Sequence, residues 1–233
     1  MECVCKKLSN GSIKLSPTCL GSFWLFKNLK DDEIEALGEA AIRRKKTKGE
    51  PLFLQGDPVK ELFLIKGGLV RLSKLTEDGS ELTLDFRKAG DFVGENMLAE
   101  DSLYPFSAWC IEDTITCGFG KNQFQELILK HPEIGLRIIK SMSERISWLT
   151  NQIGSVTITN IENRLYRVLV NVAKEHGTRD QKGMTIQFPL THEDLGFLIG
   201  AHRVSVTRAI NSLKKTGRIF IEGKTLTVPL EAA

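Results

Sequence analysis

Apolar positions along this chain change their period in sequence order, and each change predicts an element. Between about Glu50 and Phe119, the short runs LFLQ, ELFLIK, LVRLSKL and ELTLDF are punctuated by Gly56, Gly67-Gly68, Gly79 and Gly90, roughly one glycine site per eleven or twelve residues. That spacing is what a small antiparallel sandwich or barrel produces. Glu77-Asp78-Gly79-Ser80 supplies a hairpin turn within it. Ahead of the β-region, Leu29, Ile34 and Leu37, with Asp31 and Asp32 near a helix start, predict a short helix inside Phe23–Leu37. Arg43 to Lys48, RRKKTK, reads as the solvated approach to a strand.

Beyond the β-region the period lengthens. Ile139, Met142, Ile146, Leu149, Ile153 and Val156 are spaced 3, 4, 3, 4, 3, with Lys140, Ser143, Glu144, Arg145, Ser147, Asn151 and Gln152 between them. A stripe of two positions in seven is the seam of a coiled coil rather than the broader face of a buried helix, so residues 139–156 are expected to join two copies of the chain. Asn160 to His176 forms a second helix, with Ile161, Leu165, Val168, Leu169 and Val172 inward. His176-Gly177 ends it, and Thr178 to Gly183 reads as polar linker.

The stretch Leu190 to Lys215, LTHEDLGFLIGAHRVSVTRAINSLKK, predicts two short helices across a tight turn. Thr191 with Asp194 starts the first like a capping box, and Gly200 is suited to the left-handed residue that ends it. The second helix turns Val206, Ile210 and Leu213 inward and leaves Arg203, Val204, Ser205, Thr207 and Arg208 outward at its beginning. Glu222-Gly223-Lys224 then separates two β-rich runs, a hairpin signal. Together these make a winged helix-turn-helix, whose second helix fits the major groove of double-stranded DNA. From Ala201 to Lys215 the chain holds Arg203, Arg208, Lys214 and Lys215 and no acid. An Arg there can donate bidentately to guanine, and a Val or Thr methyl can pack on a thymine methyl.

Composition narrows the classes further. At 233 residues with a formal net charge of +3, the chain is long enough for two modest domains, and its charge permits nucleic-acid binding without demanding it. No apolar run approaches a membrane span and the start has no apolar secretory core, so a cytoplasmic protein with no membrane partner is expected. Five cysteines, an odd number, argue against a disulfide framework. No nucleophile elbow, phosphate loop or HExxH occurs, and His131, His176, His192 and His202 lie at helix ends rather than in ligand pairs, so no catalytic residues are expected. The resulting division is a cysteine-containing segment (1–22), a β-rich sensor domain (23–130), a dimerisation helix (131–159) and a winged helix-turn-helix (160–233), an α+β architecture.

LFLQGD, ELFLIKGGLVRL, the D-G-S-E turn, AGDFVGE, HPEI and the whole helix-turn-helix, in this order, resemble the family of the cyclic AMP receptor protein and the fumarate–nitrate regulator, over Phe23 to Val228. The resemblance implies a double-stranded β-helix of the cyclic-nucleotide-binding type (a jelly roll), a dimer helix, a palindromic operator and contact with RNA polymerase. Glu77-Asp78-Ser80-Glu81 and the loop Gly177 to Gly183 stand at the positions of polymerase contact. In cyclic-AMP-binding members a Glu takes the ribose and an Arg the cyclic phosphate. Here Glu95 is present but Phe106 stands at the Arg position, which removes a charge-assisted contact of about 1.5–3 kcal/mol and argues against cyclic AMP.

Oxygen-sensing members hold a [4Fe–4S] cluster through N-terminal cysteines and one from the β-domain. Cys3, Cys5, Cys19 and Cys117 stand for these, spaced C-x-C-x13-C where such members usually have C-x2/3-C-x5/7-C. Cys110 reads as core and is the reserve ligand. Cysteines that work without metal, haem, or a small molecule in a cavity near Glu95, Met97, Phe106 and the dimer helix remain as alternatives. At the recognition helix, His202-Arg203-Val204-Ser205-Val206-Thr207-Arg208 has Val204 where relatives place a Glu, and the run is similar to the R-V-T-V-T-R of global nitrogen regulators. Arg203 is then expected to read a guanine, Val204 a thymine methyl, and Arg208 a base or phosphate. Ser205 and Thr207 are expected to bond the DNA backbone, and His202 to cap the helix or touch phosphate.

Overall fold

The computed structural model describes residues 20, 23–77, 79–99, 102–156, 160–188, 190–223 and 225–229. The chain divides into two compact units, Met1–Met142 and Ser143–Ala233.

In the first unit, strands β1 (Ile42–Lys46), β8 (Thr114–Gly120), β3 (Glu61–Gly67) and β6 (Phe92–Val93) form one sheet in that order. Strands β2 (Pro51–Phe53), β7 (Ser107–Cys110), β4 (Leu69–Leu75) and β5 (Glu81–Lys88) form the other. All pairings are antiparallel. The continuous apolar run of β3 follows from its burial on both faces. Phe63 and Ile65 join Phe53, Val70, Leu72, Val93, Tyr104, Ala108 and Cys110 between the sheets. Leu62 and Leu64 point the opposite way, into a cluster with Phe92, Met97, Ile115, Cys117 and Phe119. Helices cover that second cluster: α1 (Asp31–Ala40) through Leu37, α2 (Lys121–Lys130) through Phe124, and α3 (Pro132–Val156) through Ile134 and Ile138. Leu20, Phe23, Leu25 and Phe26, which precede α1, complete it.

One sequence expectation is corrected in this unit. RRKKTK is largely strand β1 itself, because its cations are engaged. Arg43 donates to Gly38 O at 2.6 Å, and Arg44 grips Glu61 with two guanidinium nitrogens. Phe124, fully buried, anchors helix α2 on the cluster.

Helix α3 is the expected long helix. Ile134 and Ile138 face the core, whereas Leu136, Ile139, Met142, Ile146 and Leu149 are 68, 60, 40, 62 and 43 % exposed. The side chains of Ile153 and Val156 lie outside the described residues.

In the second unit, α4 (Ile161–His176) starts at Asn160, whose side chain accepts from Asn163 N. It buries Leu165, Val168, Leu169 and Val172 as expected, while Ile161 is only half-buried. Helices α5 (His192–Ile199) and α6 (Arg203–Lys215) follow, then strands β11 (Phe220–Glu222) and β12 (Thr225–Val228). The presumed linker after α4 is structured. Thr178–Arg179 is strand β9, paired with β10 (Met184–Ile186) across a turn that Asp180 holds by accepting from Lys182 N, Gly183 N and the Thr185 hydroxyl. The sheet order β11-β12-β10-β9 therefore ties the hairpin to the end of α4.

Some glycines of the β-region are set by space as well as conformation. Gly68, between β3 and β4, has φ of +88°, and a Cβ there would collide with Asp113 O and Thr114 Oγ1. Gly79 has φ of +84° with open space around it. Gly68→Ala is expected to destabilise the first unit by about 2 kcal/mol or more, and Gly79→Ala by about 1 kcal/mol. Urea unfolding of both variants checks this; equal costs would show that the close packing at Gly68 contributes nothing.

Candidate functional site

The helix-turn-helix is built by local chemistry. Thr191 Oγ1 accepts from Asp194 N at 3.0 Å, and Asp194 Oδ2 accepts from Thr191 N at 3.1 Å, a reciprocal cap on α5. Gly200, at φ 62° and ψ 47°, ends that helix in the left-handed region, and Ala201 N donates back to Gly196 O at 2.9 Å. A Cβ at Gly196 would lie 2.7 Å from Ala201 O, so the glycine lets the chain turn tightly into α6.

Helix α6 is oriented by its apolar side. Val206, Ala209, Ile210 and Leu213 are 0, 6, 4 and 0 % exposed. His202, Arg203, Val204 and Arg208 are exposed, Val204 to 61 %. This is the outward face that the sequence predicts, with two cations and one apolar side chain in the first two turns. Ser205 is half-buried. His202 stands at the N-cap but makes no side-chain cap bond, so the capping role expected for it is not seen. Thr207 is also half-buried, and its hydroxyl works inside the protein. It donates to Arg203 O at 2.9 Å and lies 2.8 Å from His192 Nδ1. Sequence reasoning assigned His192 only to a helix end; its partner is fifteen residues away, across the turn.

The helices are braced from α4. Arg164 Nη1 donates to Ile199 O at 2.8 Å, and Arg218, at the start of the wing, donates to Asn163 Oδ1 at 2.9 Å with its guanidinium carbon 3.8 Å from the Tyr166 ring centroid. Gly223 turns the wing at φ +60°, and a buried Thr185–Thr227 hydroxyl pair at 3.0 Å links β10 to β12.

The candidate sensing residues lie in the first unit. Cys117 alternates with Thr116 and Gly118 along β8, so its thiol points into the helix-covered cluster and is 1 % exposed. Leu20, the chain neighbour of Cys19, is in the same cluster. Cys3, Cys5 and Cys19 themselves lie outside the described residues, and among the described residues no three His, Cys, Asp or Glu side chains gather as a metal site would need. Cys110 is 1 % exposed between the sheets, and burial pushes its thiol above the usual range, which suits core packing rather than reactivity.

Glu95 opens a 3-10 turn (Glu95–Leu98). Its Oε2 is buried and has no hydrogen-bond partner among the described residues. Met97 is 1 % exposed in the helix-covered cluster, whereas Phe106 packs against Phe53 at 6.0 Å beside the cluster between the sheets. A cleft of about 390 Å³ in this unit is not lined by these three. Arg44, Leu52, Phe53, Asp57, Pro58, Lys60, Glu61, Phe63 and Tyr104 line that cleft instead. Nothing in the sequence pointed to the Arg44–Glu61 pair, because strand pairing brings together residues seventeen positions apart. In the acidic turn, Glu81 is already held by the Ser73 hydroxyl and by Arg71, at 3.1 Å, while Asp78 lies outside the described residues.

Comparison with known proteins gives matches to the "Cyclic nucleotide-binding domain" family over residues 43–131 and to the "Crp-like helix-turn-helix domain" family over residues 163–232. The chain is 30 % identical to the "Anaerobic regulatory protein" of Bacillus subtilis (strain 168) over 195 residues, 83 % of this chain and 82 % of that protein. It is 26 % identical to the "Fumarate and nitrate reduction regulatory protein" of Escherichia coli (strain K12) over 201 residues, 86 % of this chain and 80 % of the relative. Among solved structures, the c-di-GMP-responsive global regulator CLP of Xanthomonas campestris superposes with a TM-score of 0.71 at 22 % identity, covering 86 % of this chain and 100 % of that one, a likeness of fold. Among the described residues, no helix is long and apolar enough to cross a membrane.

Proposed function

This chain belongs to the family of CRP/FNR-type DNA-binding transcriptional regulators, and on that premise we propose that it works as a homodimer whose DNA binding is gated by a redox signal rather than by cyclic AMP. The observation that carries the DNA-reading part is the first two turns of α6. Arg203, Val204 and Arg208 project outward from a helix whose opposite side is fully buried. Arg203 is suited to the two acceptors of a guanine, Val204 to a thymine methyl, and Arg208 to a base or a phosphate. Ser205 and His202 stand beside them as backbone contacts. Contact with RNA polymerase belongs to the same reading; Glu77 and Ser80 of the acidic turn and the Gly177–Gly183 loop are its candidate surfaces.

Dimerisation is supported by the exposed apolar face of α3. Each of Ile139, Met142, Ile146 and Leu149 gains about 1–2 kcal/mol when its exposed area is buried in a seam with a second copy. Such a seam sets the distance between two recognition helices, which must meet half-sites about one helical turn apart on a palindrome.

For the sensor, thiolates are the right soft ligands for iron–sulfur chemistry, and Cys117 fits by its position. It is enclosed by apolar side chains in the cluster that also contains Leu20, next to Cys19. Cys3, Cys5, Cys19 and Cys117 are the four thiolates that would hold a [4Fe–4S] cluster, which when bound supplies sensitivity to oxygen. The protein's own contribution is an enclosed, apolar flank around Cys117. It shares side chains with the start of α3, through Ile134 and Ile138, and with Leu25, whose carbonyl accepts from Arg137 at 2.9 Å. The second reading is a small effector without metal, and Glu95 favours it. A buried carboxylate oxygen without a partner costs about 1–3 kcal/mol or more, which a hydroxyl donor on a ligand would relieve. Phe106, apolar and packed on Phe53, offers no cation to a cyclic phosphate.

Three measurements test these parts. Protein purified without oxygen is expected to be brown, with about four irons and four acid-labile sulfides per chain. A colourless, iron-free protein that still binds its operator would sink the cluster and leave the small effector. Ile146→Glu is expected to give a monomer by sedimentation at concentrations where the parent is dimeric; an unchanged dimer would remove α3 as the seam. Arg203→Ala is expected to cost about 1–3 kcal/mol on the preferred operator and to relax selection at one base pair. A uniform loss on all duplexes, with a shallower salt dependence, would instead make Arg203 a phosphate contact.

A further inference from the structure

The hydrogen-bond pattern at Thr207 contains more information than its distances. A hydroxyl has one hydrogen, and the carbonyl of Arg203, 2.9 Å from Thr207 Oγ1, can only accept. That hydrogen is therefore spent on the carbonyl, one turn back along α6. The contact of 2.8 Å between Thr207 Oγ1 and His192 Nδ1 then needs its hydrogen from the imidazole. His192 must carry a proton on Nδ1, and Thr207 is the acceptor. His192 is the first residue of α5, directly after the cap residue Thr191, so the bond joins the start of one helix to the second turn of the other.

We infer that His192 and Thr207 form a positioning clasp. A hydrogen bond from His192 Nδ1 to the Thr207 hydroxyl fixes the rotation of the recognition helix about its own axis, and thereby the aim of Arg203 and Arg208 at base edges. His192 and Thr207 are positioning residues in this role, and Thr207 is not a contact to the DNA backbone. The inference rests on α6 being the DNA-reading helix. The two helices also meet through Val206, which packs beside Gly196, and through the Ala201 N bond to Gly196 O at the turn. Apolar contact holds helices together but tolerates small rotations, whereas a directional hydrogen bond weakens steeply when bent. Bidentate recognition of guanine has a similarly narrow angular tolerance, so loss of the clasp should reduce selectivity more than general affinity.

The clasp is tested on the full chain, purified without oxygen, with a half-site first selected from a random duplex pool. Thr207→Ser keeps the hydroxyl and Thr207→Val removes it at constant shape. His192→Asn places an amide donor near the Nδ1 position, while His192→Gln places one near Nε2. Thr207→Ser and His192→Asn are expected to keep the ratio of selected to random-duplex affinity within about twofold. Thr207→Val and His192→Gln are expected to lose about tenfold of it, the scale of one lost hydrogen bond. Random-duplex binding, its salt dependence and the circular dichroism should be unchanged in all four, which separates misaiming from unfolding. An unchanged ratio in Thr207→Val overturns the clasp. So does retention in His192→Gln with loss in His192→Asn, which would mark Nε2 as a direct phosphate contact.

If the parent protein selects no half-site, the DNA-reading assignment fails by itself. The clasp is then judged without DNA, from the imidazole nitrogen-15 shifts. In the neutral imidazole of His192, a proton on Nδ1 that moves in Thr207→Val supports it, and a proton on Nε2 overturns it.

Discussion

Strand β3 is buried on both faces, and the rest of the first unit follows from that constraint. Because side chains alternate along a strand, Leu62 and Leu64 must have one cover and Phe63 and Ile65 another. The second sheet supplies the cover for Phe63 and Ile65. The helices, together with the segment Leu20–Phe26, supply the cover for Leu62 and Leu64. The unit is therefore three layers deep at β3, and its two clusters have different chemistry. The one between the sheets contains Cys110 and the Phe53–Tyr104 stack, with centroids 3.6 Å apart. The helix-covered one contains Cys117 and Met97.

That partition makes the chain's two described cysteines inequivalent. Cys110 is enclosed by strands, and its raised thiol pKa follows from burial there. Cys117 is instead on the layer that α3 and the end of the N-terminal segment share. Helix α3 in turn has two separate faces: Ile134 and Ile138 belong to the first unit's core, and Ile139, Met142, Ile146 and Leu149 present an apolar stripe to solvent. The same helix therefore packs on the cluster that holds Cys117 with one face and leaves apolar side chains exposed on another. Packed side chains shift as a set rather than one at a time.

The winged helix-turn-helix was legible in detail because its signals are local. The Thr191–Asp194 cap, the left-handed Gly200, the buried Val206, Ile210 and Leu213, and the turn at Gly223 each depend on residues within a few positions of one another. The β-region was legible as a class, since β-type runs and glycine spacing report half-buried or buried strands. Its partners were not. Arg43 and Arg44 read as a solvated basic run because nothing within their own segment announces Gly38 O or Glu61 as acceptors. Thr178–Gly183 read as linker because a two-residue strand has no period; pairing with Met184–Ile186 alone makes it one.

The order of elements, the capping chemistry, the outward arginines of α6 and the narrow apolar stripe of α3 were determined by the sequence itself, because each is carried by near neighbours with a fixed period. Tertiary structure alone decided that Met97 and Phe106 belong to different clusters and that Cys117 faces the helices while Cys110 lies between the sheets. It also brought the Thr207 hydroxyl within 2.8 Å of His192 Nδ1, fifteen residues away. These outcomes depend on which distant segments pack together, and burial rewards any apolar or satisfied polar partner of suitable shape. Residue type along the chain therefore specifies that such groups will be covered, and only the assembled layers specify by what.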